Sequence, residues 1–237
     1  MKKKIDTNWI SFSDIMTGLM VIFMFISISY MLEVQKKQQE RDEIFKEFKE
    51  TKEALFNDLN ETFKDDFLKW EVELDKDLSI KFTNPDVLFE SGKTNIRPYF
   101  SEILASFFPR YFKILLQEKY KAKIAEIRIE GHTDRVSAPE FDKDPYIGNV
   151  ILSQLRSAEV LKFFRNMGYY SKLSKIDEDR IQFWLTANGL SYGRTLDINK
   201  QLTAISKEKI NNGFSRRVEF RIVTTSDELI KKVLKEM

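Results

Sequence analysis

Ile124-Ala125-Glu126-Ile127-Arg128-Ile129-Glu130, followed at once by Gly131-His132-Thr133-Asp134, is the stretch that decides the fold. Apolar and polar residues alternate along its first part, the pattern of a strand with one face on a core and the other on polar surroundings. Working outward, residues 79–83, 181–187 and 217–223 read as further strands. Residues 98–118 read as a helix, with Pro98 in its first turn and Pro109 expected to kink it. Residues 153–167 read as an amphipathic helix, capped by Ser153 and ended by Gly168. A short helix over 227–235, within a terminal segment 226–237, closes the chain. Strands alternating with helices over 78–225 predict an α/β sandwich, its helices on one face of a small sheet.

Composition removes several function classes. A net charge of +2 on 237 residues argues against a nucleic-acid surface built on bulk positive charge. With no cysteine and one histidine, His132, disulfide staples, thiolate sites and multi-histidine metal centres are excluded.

The N-terminal part has a different character. Residues 9–32, WISFSDIMTGLMVIFMFISISYML, hold one carboxylate, Asp14. From Trp9 to Tyr30 a helix would cover roughly 32 Å, close to a hydrocarbon core of about 30 Å. Trp9 and Tyr30 would then sit at the two interfaces. Length and carboxylate both argue against a cleaved leader with Lys2, Lys3 and Lys4 as its basic region. Residues 1–8 are expected on the cytoplasmic side, although Lys36, Lys37 and Arg41 nearly balance the charge count across the span. Residues 33–77 are highly charged and free of Gly and Pro, with apolar residues at Ile44, Phe48, Leu55, Leu59, Phe63 and Phe67. That stripe predicts a helical neck, either a solvated single helix or a parallel dimeric coiled coil.

The C-terminal motifs occur in a telling order. Gly131-His132-Thr133-Asp134 is followed by Asn149, then Leu152-Ser153 and Arg156-Ser157-Ala158, and much later by Ser215-Arg216-Arg217-Val218-Glu219. This series resembles the OmpA-like peptidoglycan-binding family, and Val87 to Gly92 is similar to that family's opening strand and turn. The likeness covers 78–225. It implies that Asp134 takes the ammonium and Arg156 the carboxylate of a diaminopimelate stem, where a guanidinium binds bidentately. It further implies hydrogen bonds from Thr133 and Asn149, packing by Leu152, and a pocket role for Arg216 and Arg217, one supporting and one exposed. His132 is expected to orient the loop. The chain departs from the pattern in a longer loop after Asp134, in Gly148 where a tyrosine often stands, in Ser157 after Arg156, and in Ser215.

The membrane segment carries a second likeness. Ser13-Asp14-Ile15-Met16-Thr17-Gly18-Leu19-Met20 resembles the start of the membrane helix in MotB-type stator subunits. A charged side chain in the hydrocarbon costs about 2.5–3.5 kcal/mol on insertion scales, so Asp14 needs a reason to be there. An ion carrier that exchanges between neutral and charged forms is one. Gly18, one turn on, permits close approach of a neighbouring helix.

A membrane aspartate with a wall grip is the layout of a stator. Two systems share it, the flagellar motor and the Zorya anti-phage defence system. The short N-terminus, the membrane motif, the charged neck and the long loop resemble the B subunit of Zorya more than flagellar MotB. The resemblance implies a homodimer in the bacterial inner membrane, a periplasmic C-terminal domain, a multi-spanning MotA-like A subunit (ZorA) as partner, and no cofactor. A passive envelope anchor is the alternative, and Asp14 discriminates between the two. A hydrolase using His132 and Asp134 lacks a second histidine, a nucleophile motif and a metal set.

Overall fold

The computed structural model describes residues 7–83, 85–90, 92–227 and 230. Lys2, Lys3, Lys4, Ser91 and most of the expected terminal helix 227–235 lie outside the described residues.

Helix α1, Thr7–Trp70, runs for 64 residues without a break, roughly 96 Å at the usual rise. Side chains 12–40 are all exposed. The apolar part reaches a mean hydropathy of 2.2, long and apolar enough to cross a membrane. A bilayer is the solvent in which so much bare apolar surface carries no penalty.

The other end of α1 has the opposite fate. Leu55, Leu59 and Phe63 are fully buried and Phe67 nearly so, all within the core of the globular part. From Leu55 onward the neck stripe is therefore used inside one chain, and these residues are not available to a dimeric coil. Helix α3, Pro98–Leu115, supplies the partner face: the Phe63 and Phe107 rings are 5.3 Å apart. Ion pairs sew the two helices together. Arg110 donates to the Thr62 carbonyl and the Asp66 carboxylate, each at 2.6 Å. Just beyond α3, Lys119 and the Tyr120 hydroxyl both donate to Asp58, at 2.6 and 2.8 Å.

The sheet has five strands: β1 Val72–Leu74, β2 Ser79–Phe82, β3 Ile124–His132, β4 Leu185–Gly189 and β5 Arg217–Thr224. Their spatial order is β1-β2-β5-β3-β4. Only the β3–β4 pair is parallel, and its crossover carries helix α5, Pro145–Arg165, and helix α6, Lys175–Trp184. Short helices α2 Pro85–Leu88, α4 Glu118–Lys121, α7 Thr203–Ser206 and α8 Asn212–Ser215 fill the connections.

Register divides the sheet into an apolar and a charged face, because side chains alternate along each strand. Ile129 and Ile80 both pair with Phe220, whose ring lies 5.1 Å from Phe107 and 5.5 Å from Phe108. On the other face Glu130 pairs with Glu219 and His132 with Arg217. Residues 190–215 cross over these groups: Arg217 donates to the Arg194 carbonyl, and the Arg194 guanidinium reaches Glu130.

Several local expectations are corrected. The helix expected from Ser153 starts at Pro145, with the Asp144 carboxylate accepting from the Tyr146 and Ile147 N–H groups. Asp followed by Pro at the first helical position is the stronger start signal. Ser153 is interior, donating to the Asn149 carbonyl at 2.8 Å and accepting from the Ser191 N–H at 3.0 Å. Residues 181–184 belong to α6, with Ile181 and Trp184 buried, and the strand starts only at Leu185. Pro109, where a kink is expected, lies inside α3, which is not interrupted there.

Candidate functional site

The site is set by how closely α5 lies on β3. A Cβ on Gly131 would stand 2.3 Å from the Ser153 carbonyl oxygen, so no other residue lets the helix settle there. That contact brings Thr133 and Asp134, at the end of β3, beside Asn149, Leu152 and Arg156 on α5. Together with Gly92, Val136, Ser137, Ala138 and Arg216 they enclose a cavity of about 120 Å³.

The Asp134 carboxylate is buried. Its Oδ1 accepts from the Val136 N–H at 2.9 Å. Its Oδ2 is buried and has no hydrogen bond among the described residues, with Arg216 Nε 3.6 Å away. The Thr133 N–H donates to the Ser191 carbonyl at 3.0 Å, while its buried hydroxyl has no hydrogen bond among the described residues. Asn149 Nδ2 donates to the carbonyls of Val136 and Pro145, at 2.8 and 3.0 Å, and so pins the loop that walls the cavity. That loop also explains Gly148: a Cβ there would meet the Ala138 carbonyl at 2.7 Å.

Arg156 is anchored from behind. Its Nε donates to the Lys93 carbonyl at 2.9 Å and its Nη2 to the Glu90 carbonyl at 3.1 Å. The guanidinium lies 5.0 Å from the Phe89 ring centroid. Burial, joined by the neighbouring Arg216 and opposed by Asp134, pushes its pKa down to about 10, which leaves it charged at neutral pH. A buried carboxylate oxygen in want of a donor and a charged guanidinium now face one cavity. Such a pair offers complementary partners to an ammonium and a carboxylate.

The structure therefore gathers Thr133, Asp134, Asn149, Leu152, Arg156 and Arg216. It does not bring Arg217 to them. Arg217 faces the charged side of the sheet, where its Nε donates to Glu219 at 2.6 Å and its Nη1 to the Arg194 and Ser215 carbonyls. Strand alternation carries the signal: Val218 and Phe220 belong to the core, so Arg217 and Glu219 must face away from it. The part Ser191 plays, holding Thr133 by its carbonyl and Ser153 by its N–H, has no signal in the sequence. Asp14 stands far from this cavity in chain terms, on the exposed part of α1.

His132 does not orient the pocket loop; it lies buried on the charged face. Its Nε2 is 3.7 Å from Glu130 and 3.6 Å from Glu219. The ligand atoms of these three residues fall within 4.8 Å of one another, which invites a metal. The surroundings argue otherwise. Arg217 and Arg221 pair with Glu219, and Arg194 and Arg221 with Glu130, so three guanidinium groups already neutralise two carboxylates. Burial and then the Arg217 charge hold the His132 pKa below its usual value. Burial alone would raise Glu219, but Arg217 and His132 outweigh it and leave its pKa at about 2. The ion pairs already balance both carboxylates, although both His132 ring nitrogens are buried without a hydrogen bond among the described residues.

No family model matches the sequence. Among curated proteins, Zorya protein ZorB of Escherichia coli (strain Crooks) is 35% identical over 237 residues, covering 99% of this chain and 95% of that protein. Among solved structures, a MotB-like protein from Desulfovibrio vulgaris superposes with a TM-score of 0.50 at 23% identity, covering 76% of this chain and 98% of that one. The second likeness concerns the fold alone and agrees with the α/β domain described above. The first extends from the apolar helix through the pocket to the last strand, and by it this chain belongs to the family of Zorya protein ZorB.

Proposed function

We propose that this chain is the peptidoglycan-anchored stator subunit of an ion-driven, proton-coupled membrane motor serving Zorya anti-phage defence. One observation carries this: a single unbroken helix joins the apolar segment bearing Asp14 to the domain that holds the Asp134–Arg156–Arg216 pocket. One end would harvest ion flow and the other would resist torque, with no flexible joint between them. Two copies would pair in the inner membrane, N-termini in the cytoplasm and domains in the periplasm, enclosed by the MotA-like A subunit. In the pocket, Asp134 would take the stem ammonium and Arg156 a stem carboxylate, with Thr133 and Asn149 adding polar contacts and Leu152 an apolar floor. Membership of the ZorB family supports the Zorya setting over a flagellar one.

The test separates motor from passive anchor. Asp14→Asn keeps size and hydrogen bonding but removes the exchangeable charge, and an amide is no harder to insert than a carboxylate. The expected outcome is normal expression and wall retention with loss of phage protection. Full protection by a normally expressed Asn variant would leave the anchor as the correct reading.

A further inference from the structure

Two guanidinium groups and one carboxylate face the cavity, and the two cations are not equivalent. Arg156 is buried, with its Nε and one Nη2 hydrogen committed to backbone carbonyls of the turn that carries Gly92. Arg216 is about one-third exposed. Its guanidinium makes no hydrogen bond among the described residues, and its Nε is buried and unsatisfied. Arg216 Nε stands 3.6 Å from Asp134 Oδ2, itself unsatisfied. The two groups form an ion pair without closing a hydrogen bond, so each keeps hydrogen-bonding capacity for a further partner. The remaining lining residues are neutral. Glu140, whose Oε1 is 3.0 Å from where a Cβ on Gly92 would stand, is not among the lining residues. The cavity itself thus carries two positive charges and one negative.

We propose that Arg216 reads the charge of the ligand: the pocket takes a ligand whose one ammonium is flanked by two free carboxylates and rejects it when the carboxylate that meets Arg216 becomes a carboxamide. Asp134 receives the ammonium, Arg156 one carboxylate and Arg216 a second at the mouth. This rests on the peptidoglycan reading of the pocket. A guanidinium has donors only, so the NH₂ of a carboxamide offers it nothing, and the amide oxygen is a weaker acceptor than a carboxylate. A site built around a charged partner discriminates by leaving its own charge unpaired.

Full-length protein in detergent micelles is titrated calorimetrically with N-acetyl-L-Ala-γ-D-Glu-meso-diaminopimelate, which has one ammonium and three free carboxylates, and with its three mono-amides, one on the glutamate carboxyl and one on each diaminopimelate carboxyl. The free acid should bind about tenfold more tightly than at least one amide, the effect of one charge-assisted hydrogen bond. In Arg216→Gln the free acid should weaken by about the same factor while that amide is unaffected, so the preference disappears; Arg216→Lys should restore part of it. Wild-type protein that binds acid and amides equally, or an Arg216→Gln variant that keeps every preference, overturns the proposal and leaves the peptidoglycan reading standing. Wild-type protein that binds none of the peptides, and whose retention on purified sacculi survives Asp134→Asn, overturns both.

Discussion

At the scale of single residues, the pocket separates cavity-facing groups from groups that build the wall. Asp134→Asn keeps the Oδ1 acceptor for the Val136 N–H and removes only the charge. It should abolish retention on purified peptidoglycan, read by pull-down, while the thermal midpoint stays within a few degrees of wild type. Arg156→Ala should lose retention and also destabilise, by about 1–3 kcal/mol, because the Glu90 and Lys93 carbonyls lose their donors. Behind the pocket, Glu219 gives a pH signature. Its pKa falls from a model-peptide 4.5 to about 2 on folding, so the unfolded chain binds the proton more readily. Its contribution is therefore present above about pH 4.5 and lost as pH drops towards 2. Glu219→Gln should flatten that part of the stability–pH curve, leaving the share that Glu130 supplies in the same direction. It should also cost about 3–5 kcal/mol at neutral pH by leaving Arg217 buried without its partner. An unchanged acid slope in denaturation curves from pH 2 to 5 would remove Glu219 from the account.

At the scale of elements, α1 changes its environment twice along one helix. Its spacing of apolar residues is legible from the sequence; what those residues pack on is not, because a stripe of phenylalanines suits a partner helix from another chain as well as one from its own. The structure packs the stripe from Leu55 onward into the domain core, against α3 at Phe63. Phe63 is in ring contact with Phe67, Trp70 and Phe107 and carries the Arg110 guanidinium 4.4 Å from its ring centroid. Phe63→Ala should lower stability by about 3–5 kcal/mol, with a urea midpoint that does not depend on protein concentration. Leu68→Ala, at 85% exposure, should shift it by no more than about 0.5 kcal/mol. A concentration-dependent midpoint in wild type that vanishes in Phe63→Ala would return the stripe to a dimer interface.

At the scale of the whole molecule, the domain is fastened to α1 from about Glu47 onward, where the Lys123 ammonium meets Glu47 at 3.2 Å. Helix between the apolar span and this point is bare and charged, so the domain stands a fixed distance of roughly 20–25 Å beyond the end of the span at Leu32. The chain has no cysteine, and Ile205 is 76% exposed on the segment covering the charged face. An Ile205→Cys variant should therefore react with an impermeant maleimide in intact spheroplasts. Reaction only after lysis would invert the proposed topology.

The sequence by itself determined the apolar span with Asp14, the α/β character of the domain, the strand leading into Thr133-Asp134, and most of the residues that meet in the pocket. These are local facts: period, length and short motifs are written in neighbouring residues. Tertiary structure decided the rest. Whether Ser153 caps a helix or lies inside one depended on Asp144 and Pro145, whose start signal is stronger. Whether residues 181–184 extend a strand or end a helix depended on the apolar core that Ile181 and Trp184 bury into. Which arginine lines the cavity depended on the register of β5 against β3, a pairing between segments some ninety residues apart. Chemistry sits in the side chain and is visible one residue at a time; orientation and company come from long-range packing, which no single stretch of chain contains.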